Sequence, residues 1–144
     1  MSILILTADS GRARLFQTEN SSSEIIEVED IVNPVARIKD NKLLSDGASS
    51  LKDSVGAGRH GGDPKHMPKE VAKQRFAKEV SDTLVASMDK YGYHKLYIIA
   101  APKFLGELRT VIPNKIKQLL IGEVDHDATS LTPKEFRHLL PKYL

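Results

Sequence analysis

The chain has 144 residues and no cysteine, which excludes disulfides and thiolate chemistry. Aromatic residues are only 6% of the total and are scattered, so there is no row of stacking platforms for a single-stranded nucleic acid. No apolar run approaches the roughly 20 residues of a membrane-spanning helix. The opening Met-Ser-Ile-Leu-Ile-Leu-Thr-Ala lacks the basic flank and the length of a secretory signal. These absences set the expectation of a cytoplasmic protein with no membrane partner. Net charge is only +2, so no global field draws the chain onto nucleic acid or lipid. No Lys-Ser or Lys-Thr follows a glycine cluster, which excludes a P-loop, and no nucleophile elbow is visible.

What is present is the composition of a soluble globular chain, 40% hydrophobic and 28% charged, expected to fold as one domain over 1–144. Ser2 to Ala8 is apolar and β-branched and reads as a buried strand. Asp9-Ser10-Gly11 is turn chemistry. Arg12 to Thr18 alternates Arg12 and Arg14 against Ala13 and Leu15, completing a hairpin. Glu24 to Val32 alternates again, with Ile26, Val28 and Asp30 on one face and Ile25, Glu27, Glu29 and Ile31 on the other. A long amphipathic helix follows Met67-Pro68 and runs to about Lys90 on a stripe of Ala72, Phe76, Val80 and Leu84, with Val71, Val85 and Met88 beside it and Gly92 placed to end it. His94 to Ala101 is apolar enough for a central strand, with Leu96, Tyr97, Ile98 and Ile99 as its apolar run. Short helices begin at Pro102 and Pro113, the second running through Leu120. A last strand spans Gly122 to Asp127, and a final helix is opened by the capping box Thr132-Pro133-Lys134-Glu135. Three antiparallel strands followed by strand–helix alternation predict an α/β fold: a ribonuclease H-like mixed sheet with helices on its faces.

Between the third strand and the long helix, about 34–66, the periodicity vanishes for a length unusual in a compact domain. Five of the nine glycines lie between Gly47 and Gly62. This expected flexible loop ends in Gly56-Ala57-Gly58-Arg59-His60-Gly61-Gly62-Asp63. Its Gly-x-Gly-x-x-Gly spacing spells a dinucleotide fingerprint, but the strand that must precede such a motif is missing. Glycines with cations beside them suit a phosphate-bearing partner. Arg59, Lys65, Lys69 and Lys73 are the candidate phosphate contacts here, and Arg12 and Arg14 share a strand face that could line a groove. His60, Asp63 and His66 match no zinc spacing, so no metal site and no cofactor are expected. Asp9, at the tip of the first strand, occupies the place of a metal carboxylate in ribonuclease H-like nucleases. Glu79, Asp82, Asp125 and Asp127 would be its partners, against the simpler reading of Asp9 as a turn residue.

Ala8-Asp9-Ser10-Gly11-Arg12-Ala13-Arg14-Leu15-Phe16, Arg75 to Val80, Pro102 to Arg109 and the closing Leu131 to Leu140 together resemble the bacterial host-attachment protein family over nearly the whole chain. That family is in turn distantly similar to the middle domain of archaeal and eukaryotic release factors, which carries a Gly-Gly-Gln tip before a long helix. Gly61-Gly62 holds the corresponding place, with Asp63 where the glutamine would stand. The resemblance implies a cytoplasmic, translation-associated domain that contacts the ribosome or tRNA. The alternatives are a peptidyl-tRNA ester hydrolase using Gly61, Gly62, Asp63 and His60, and an interaction protein that influences attachment indirectly.

Overall fold

A computed structural model describes residues 2–34, 68–142 and 144. Three strands open it: β1 (Ile3–Ala8), β2 (Arg12–Thr18) and β3 (Ile26–Val32). After helix α1 (Lys69–Tyr91) come β4 (Lys95–Ala100), α2 (Pro102–Val111), the single turn α3 (Asn114–Lys117), β5 (Leu120–Asp125), the single turn α4 (Pro133–Phe136) and a 3-10 turn (Arg137–Leu139). The strands form one mixed sheet in the order β3-β2-β1-β4-β5. β2 pairs antiparallel with both β1 and β3, whereas β4 pairs parallel with both β1 and β5. The α/β class and the mixed five-stranded sheet expected from the sequence are both present.

Every residue of β1 is buried, the signature of a strand covered on both faces. Its alternate side chains serve two cores. Leu4, Leu6 and Ala8 join Leu96 and Ile98 of β4 under α1 and α2. There the stripe Phe76, Val80, Leu84 and Met88 meets Phe104, Leu105 and Leu108, and the rings of Phe76 and Phe104 lie 5.7 Å apart. Ile3 and Ile5 face the other way, with Phe16, Tyr97 and Ile99, and are covered by Ala128, Phe136 and Leu140 from the end of the chain. Helices thus cover one face, and a strap of short turns covers the second. Phe136 meets Phe16 edge to face at 4.9 Å.

Local chemistry sets the element ends. α1 starts after Pro68 and stops at Gly92, whose φ of 68° is the left-handed conformation that glycine adopts without a Cβ penalty; its N–H donates to the Met88 carbonyl. The capping box is formed in full, with the Glu135 amide donating to Thr132 Oγ1 and the Thr132 amide to Glu135 Oε1.

Three expectations are corrected. The helix after Pro113 was expected to reach Leu120 but ends at Lys117, and β5 begins at Leu120 rather than Gly122. The reason is the neighbouring strand: Leu96 donates to the Leu119 carbonyl and pairs with Leu120, so this apolar run extends the sheet rather than the helix. β3 does not alternate cleanly. Its register with β2 shifts between Leu15 and Phe16, making Val28 the extra residue of a bulge. Finally, Val71 is 42% exposed and lies outside the helix stripe it was expected to join.

Phe136 is the main anchor of the strap. Phe136→Ala is expected to lower the unfolding free energy by about 3–5 kcal/mol, read from urea denaturation. A loss below about 1 kcal/mol would show that the strap does not share the cooperative core.

Candidate functional site

β1 and β4 run parallel at the centre of the sheet and end side by side, Ala8 opposite Ala100. The segments that leave these two tips build a cleft. After β1, Asp9 makes an Asx turn: its Oδ1 accepts from the amides of Gly11 and Arg12, both at 2.8 Å. This bears out the turn reading of Asp9. After β4, the Ala101 amide donates to the Ala8 carbonyl at 3.1 Å and lashes the two tips together. Pro102 then starts α2 at its first position. Ala101 offers no side-chain oxygen as a cap, so among the described residues no side chain caps the amides of Lys103 and Phe104 at the positive end of the helix.

Lys73, one turn into α1, forms a further wall, and Asp127 beyond β5 closes the ring. The His126 amide, bonded to the Ala100 carbonyl at 2.9 Å, holds that last segment against β4. The open cleft has a volume of about 610 Å³. Lys73 also lies 3.7 Å from Glu70, a loose pair of a half-buried lysine with an exposed glutamate. The cleft therefore has a cationic side, made of Lys73, Lys103 and the α2 terminus, and an acidic side, made of Asp9 and Asp127.

The acidic side has a distinctive geometry. Thr129 Oγ1 lies 3.0 Å from Asp9 Oδ2 and 3.1 Å from Asp127 Oδ1. A hydroxyl carries one proton, so it donates to one carboxylate at a time. The Thr129 amide adds a long bond, 3.3 Å, to Asp127 Oδ1.

Among the described residues there is no group of three or more His, Asp or Glu side chains placed to hold a metal ion. The other carboxylates weighed as partners of Asp9 lie elsewhere. Glu79 and Asp82 line a separate groove with Glu29, and Asp82 is paired with Lys78 at 2.8 Å. Asp125 ends β5, exposed.

The two arginines of β2 are committed within the fold. Arg12 forks onto Asp30, at 2.9 and 2.7 Å. Arg14 forks onto Glu27 with both bonds at 2.9 Å. It also donates to the carbonyls of Thr129 and Leu131 at 3.0 and 3.3 Å, and its guanidinium sits 5.0 Å from the centre of the Phe16 ring. Arg14 therefore fastens the strap to the sheet. The hydrogen bonds from Arg14 hold the Glu27 carboxyl below its ordinary value, and those from Arg12 do the same for Asp30.

Of the remaining candidate residues, Lys69 opens α1. Arg59, His60, Gly61, Gly62, Asp63 and Lys65 lie outside the described residues. Sequence reasoning singled out Lys73, weighed Asp9 as a metal ligand or a turn residue and Asp127 as a metal ligand or a strand end, and missed Lys103 and Thr129. The available signal was Pro102 directly after an apolar strand, which marks a helix N-terminus at a strand tip.

A family model described as "protein required for attachment to host cells" matches residues 4–140. No curated protein matches. Among solved structures, the type II variant of the Aquifex aeolicus Ppx/GppA phosphatase is similar at a TM-score of 0.43 and 9% identity, over 86% of this chain and 35% of that one. The chain thus spans about a third of that phosphatase, and a likeness this distant carries no argument. The release-factor similarity finds no support in these matches.

The depressed carboxyls fix a pH response. A carboxyl whose folded pKa is lowered contributes stability above its unfolded value, and that contribution is lost as pH falls through the folded value. Acid titration should therefore erode stability below the ordinary Glu value of 4.5. In Arg14→Met the slope of unfolding free energy against pH in that range should be shallower. Equal slopes for wild type and variant would show that the Arg14–Glu27 pair contributes nothing to acid sensitivity.

Proposed function

The chain belongs to the family of proteins required for attachment to host cells, and on that premise we propose that it is a binding module for a phosphate-bearing ligand. The family description names a requirement for a process and leaves the chemistry open. One observation carries the proposal: Lys73, Lys103 and the uncapped N-terminus of α2 converge on one side of the cleft at the tips of β1 and β4. Open α/β sheets bind ligands beyond the carboxyl ends of their strands, and helix N-termini favour anions there. Asp9 and Asp127 on the opposite side would orient ligand hydroxyls rather than phosphate oxygens.

The finer reading is that the ligand is RNA, on the ribosome or as tRNA. It is supported by chain order: the basic glycine segment with Arg59 and Lys65 leads directly into α1, whose Lys69 and Lys73 follow. A sugar-phosphate backbone lying in the cleft would meet Lys73 there. Arg12 and Arg14 enter this reading only as the pairs that stiffen the neighbouring hairpin. The ribonuclease H-like reading of the fold is supported by the strand order and by the antiparallel-then-parallel pairing. The proposal also treats 1–144 as one functional unit.

The test is anisotropy binding of labelled tRNA and of a labelled mononucleotide at about 50 and 200 mM salt. Affinity for tRNA should fall steeply with salt. Lys73→Ala with Lys103→Ala should weaken binding about tenfold or more and reduce the salt slope by about 2. Binding of the mononucleotide alone would replace RNA by a small phosphorylated ligand. Salt-insensitive binding, or full affinity in the double variant, would move the site away from this cleft.

A further inference from the structure

Resting on the phosphate-binding reading of the cleft, we propose that its ligand class is a terminal phosphate: a phosphomonoester on a hydroxylated group, in preference to a diester within a chain or to a diphosphate. Lys73 and Lys103 both line the cleft. Among the described residues Lys103 enters no ion pair, and Lys73 has only the 3.7 Å approach of Glu70. By contrast Arg12, Arg14, Lys78 and Arg109 each meet a carboxylate at 2.9 Å or less. The two lysines are therefore available to a ligand. Pro102 has no N–H and no side chain caps α2, so the Lys103 and Phe104 amides are the first donors that an oxygen meets at this helix start. A phosphomonoester carries nearly two negative charges near neutral pH and three terminal oxygens. A diester keeps one charge and two such oxygens. The monoester matches a pair of ammonium groups, whereas the diester answers only one of them.

The acidic side sets what the phosphate is attached to. Asp9 Oδ1 is filled by the Gly11 and Arg12 amides, and Asp9 Oδ2 meets only Thr129 Oγ1. Asp127 Oδ1 takes the Thr129 amide and hydroxyl, while Asp127 Oδ2 has no hydrogen-bond partner among the described residues. Both carboxylates thus keep acceptor capacity, and an ionised carboxylate can only accept. Hydroxyl donors satisfy them, as Thr129 already shows at 3.0 and 3.1 Å. A second phosphate is repelled by them. One phosphate at one end with hydroxyls at the other therefore suits both sides of the cleft. A diphosphate, or a backbone continuing through it, brings further negative charge against Asp9 and Asp127. An RNA would engage this cleft by an end that carries a phosphate, with its backbone outside.

The probes are uridine 5′-monophosphate, its phosphate methyl ester, uridine 5′-diphosphate, and a short RNA with and without a 5′-phosphate. Each is titrated against the full chain, with the amide resonances of Lys103 and Phe104 followed by NMR. A monoester, either the mononucleotide or the 5′-phosphorylated RNA, should bind 1:1 and move both resonances. The methyl ester should bind about tenfold more weakly, the loss expected for one charge-assisted contact. The diphosphate should bind no tighter than the monophosphate in the wild type, and Asp127→Asn should tighten the diphosphate relative to it. Binding of the mononucleotide but not of the RNA end assigns the cleft to a small ligand; equal binding of both assigns it to any exposed phosphate end. Equal affinity for monoester and methyl ester overturns the proposal, as does a diphosphate that binds tighter than the monophosphate. Binding that leaves the two resonances unmoved, or RNA binding indifferent to the 5′-phosphate with no nucleotide bound, overturns it too. In the first two cases the phosphate reading survives, provided that Lys73→Ala with Lys103→Ala abolishes binding. Absence of binding by every probe and by tRNA would remove that reading as well.

Discussion

The parallel pairing of β1 with β4 is the constraint on which the other features rest. Parallel strands are stable only when both faces are covered, so this pair needs one layer on each side. α1 and α2 supply the first and the C-terminal strap the second. The same pairing makes both strands finish at one edge, where each chain must turn away, one into a hairpin and the other into a helix. The cleft is the space left by those two departures. Its chemistry follows from geometry: a tight turn favours an Asx side chain, here Asp9, and a helix start leaves amides without intrahelical partners.

Much of this frame was legible in the amino-acid order. The apolar run Ile3–Ala8, the stripe on α1, Gly92 at its end and the Thr132 capping box each depend on residues within a few positions of one another, and local chemistry was enough. The features that were not legible depend on distant partners. Leu119 to Ile121 could serve a helix or a strand equally well, and Leu96 across the sheet decides between them. Arg12 and Arg14 read as free cations because Asp30 and Glu27 reach them only through the β2–β3 register. The cleft assembles Asp9, Lys73, Lys103 and Asp127, four residues with no spacing pattern. The glycine-rich segment, the loudest feature of the sequence, lies outside the described residues, while a lysine one turn into the helix after it reaches the cleft.

Charge is sorted within single elements. The first turns of α1 bring Lys73 to the cleft, and its later turns present Glu79 and Asp82 to the groove beside β3. One helix therefore lines two separate concavities, with a lysine at the first and charges of both signs, Lys90 included, at the second. The arginines of β2 belong to neither, because their forked bonds neutralise carboxylates on the adjacent strand, and Arg14 also holds the strap. In a chain of net charge +2, this separation gives local fields that the overall balance conceals.

Thr129 belongs at once to the strap and to the rim of the cleft. When its proton points to Asp9, the end of the chain is bonded to the β1–β2 turn; when it points to Asp127, the bond closes within the strap itself. A hydroxyl rotor of this kind is a two-position latch, reset by a single torsion on the timescale of side-chain rotation. Whatever occupies Asp9 takes away one of the two positions, so the filling of the cleft is written directly into how the last segment of the protein is held.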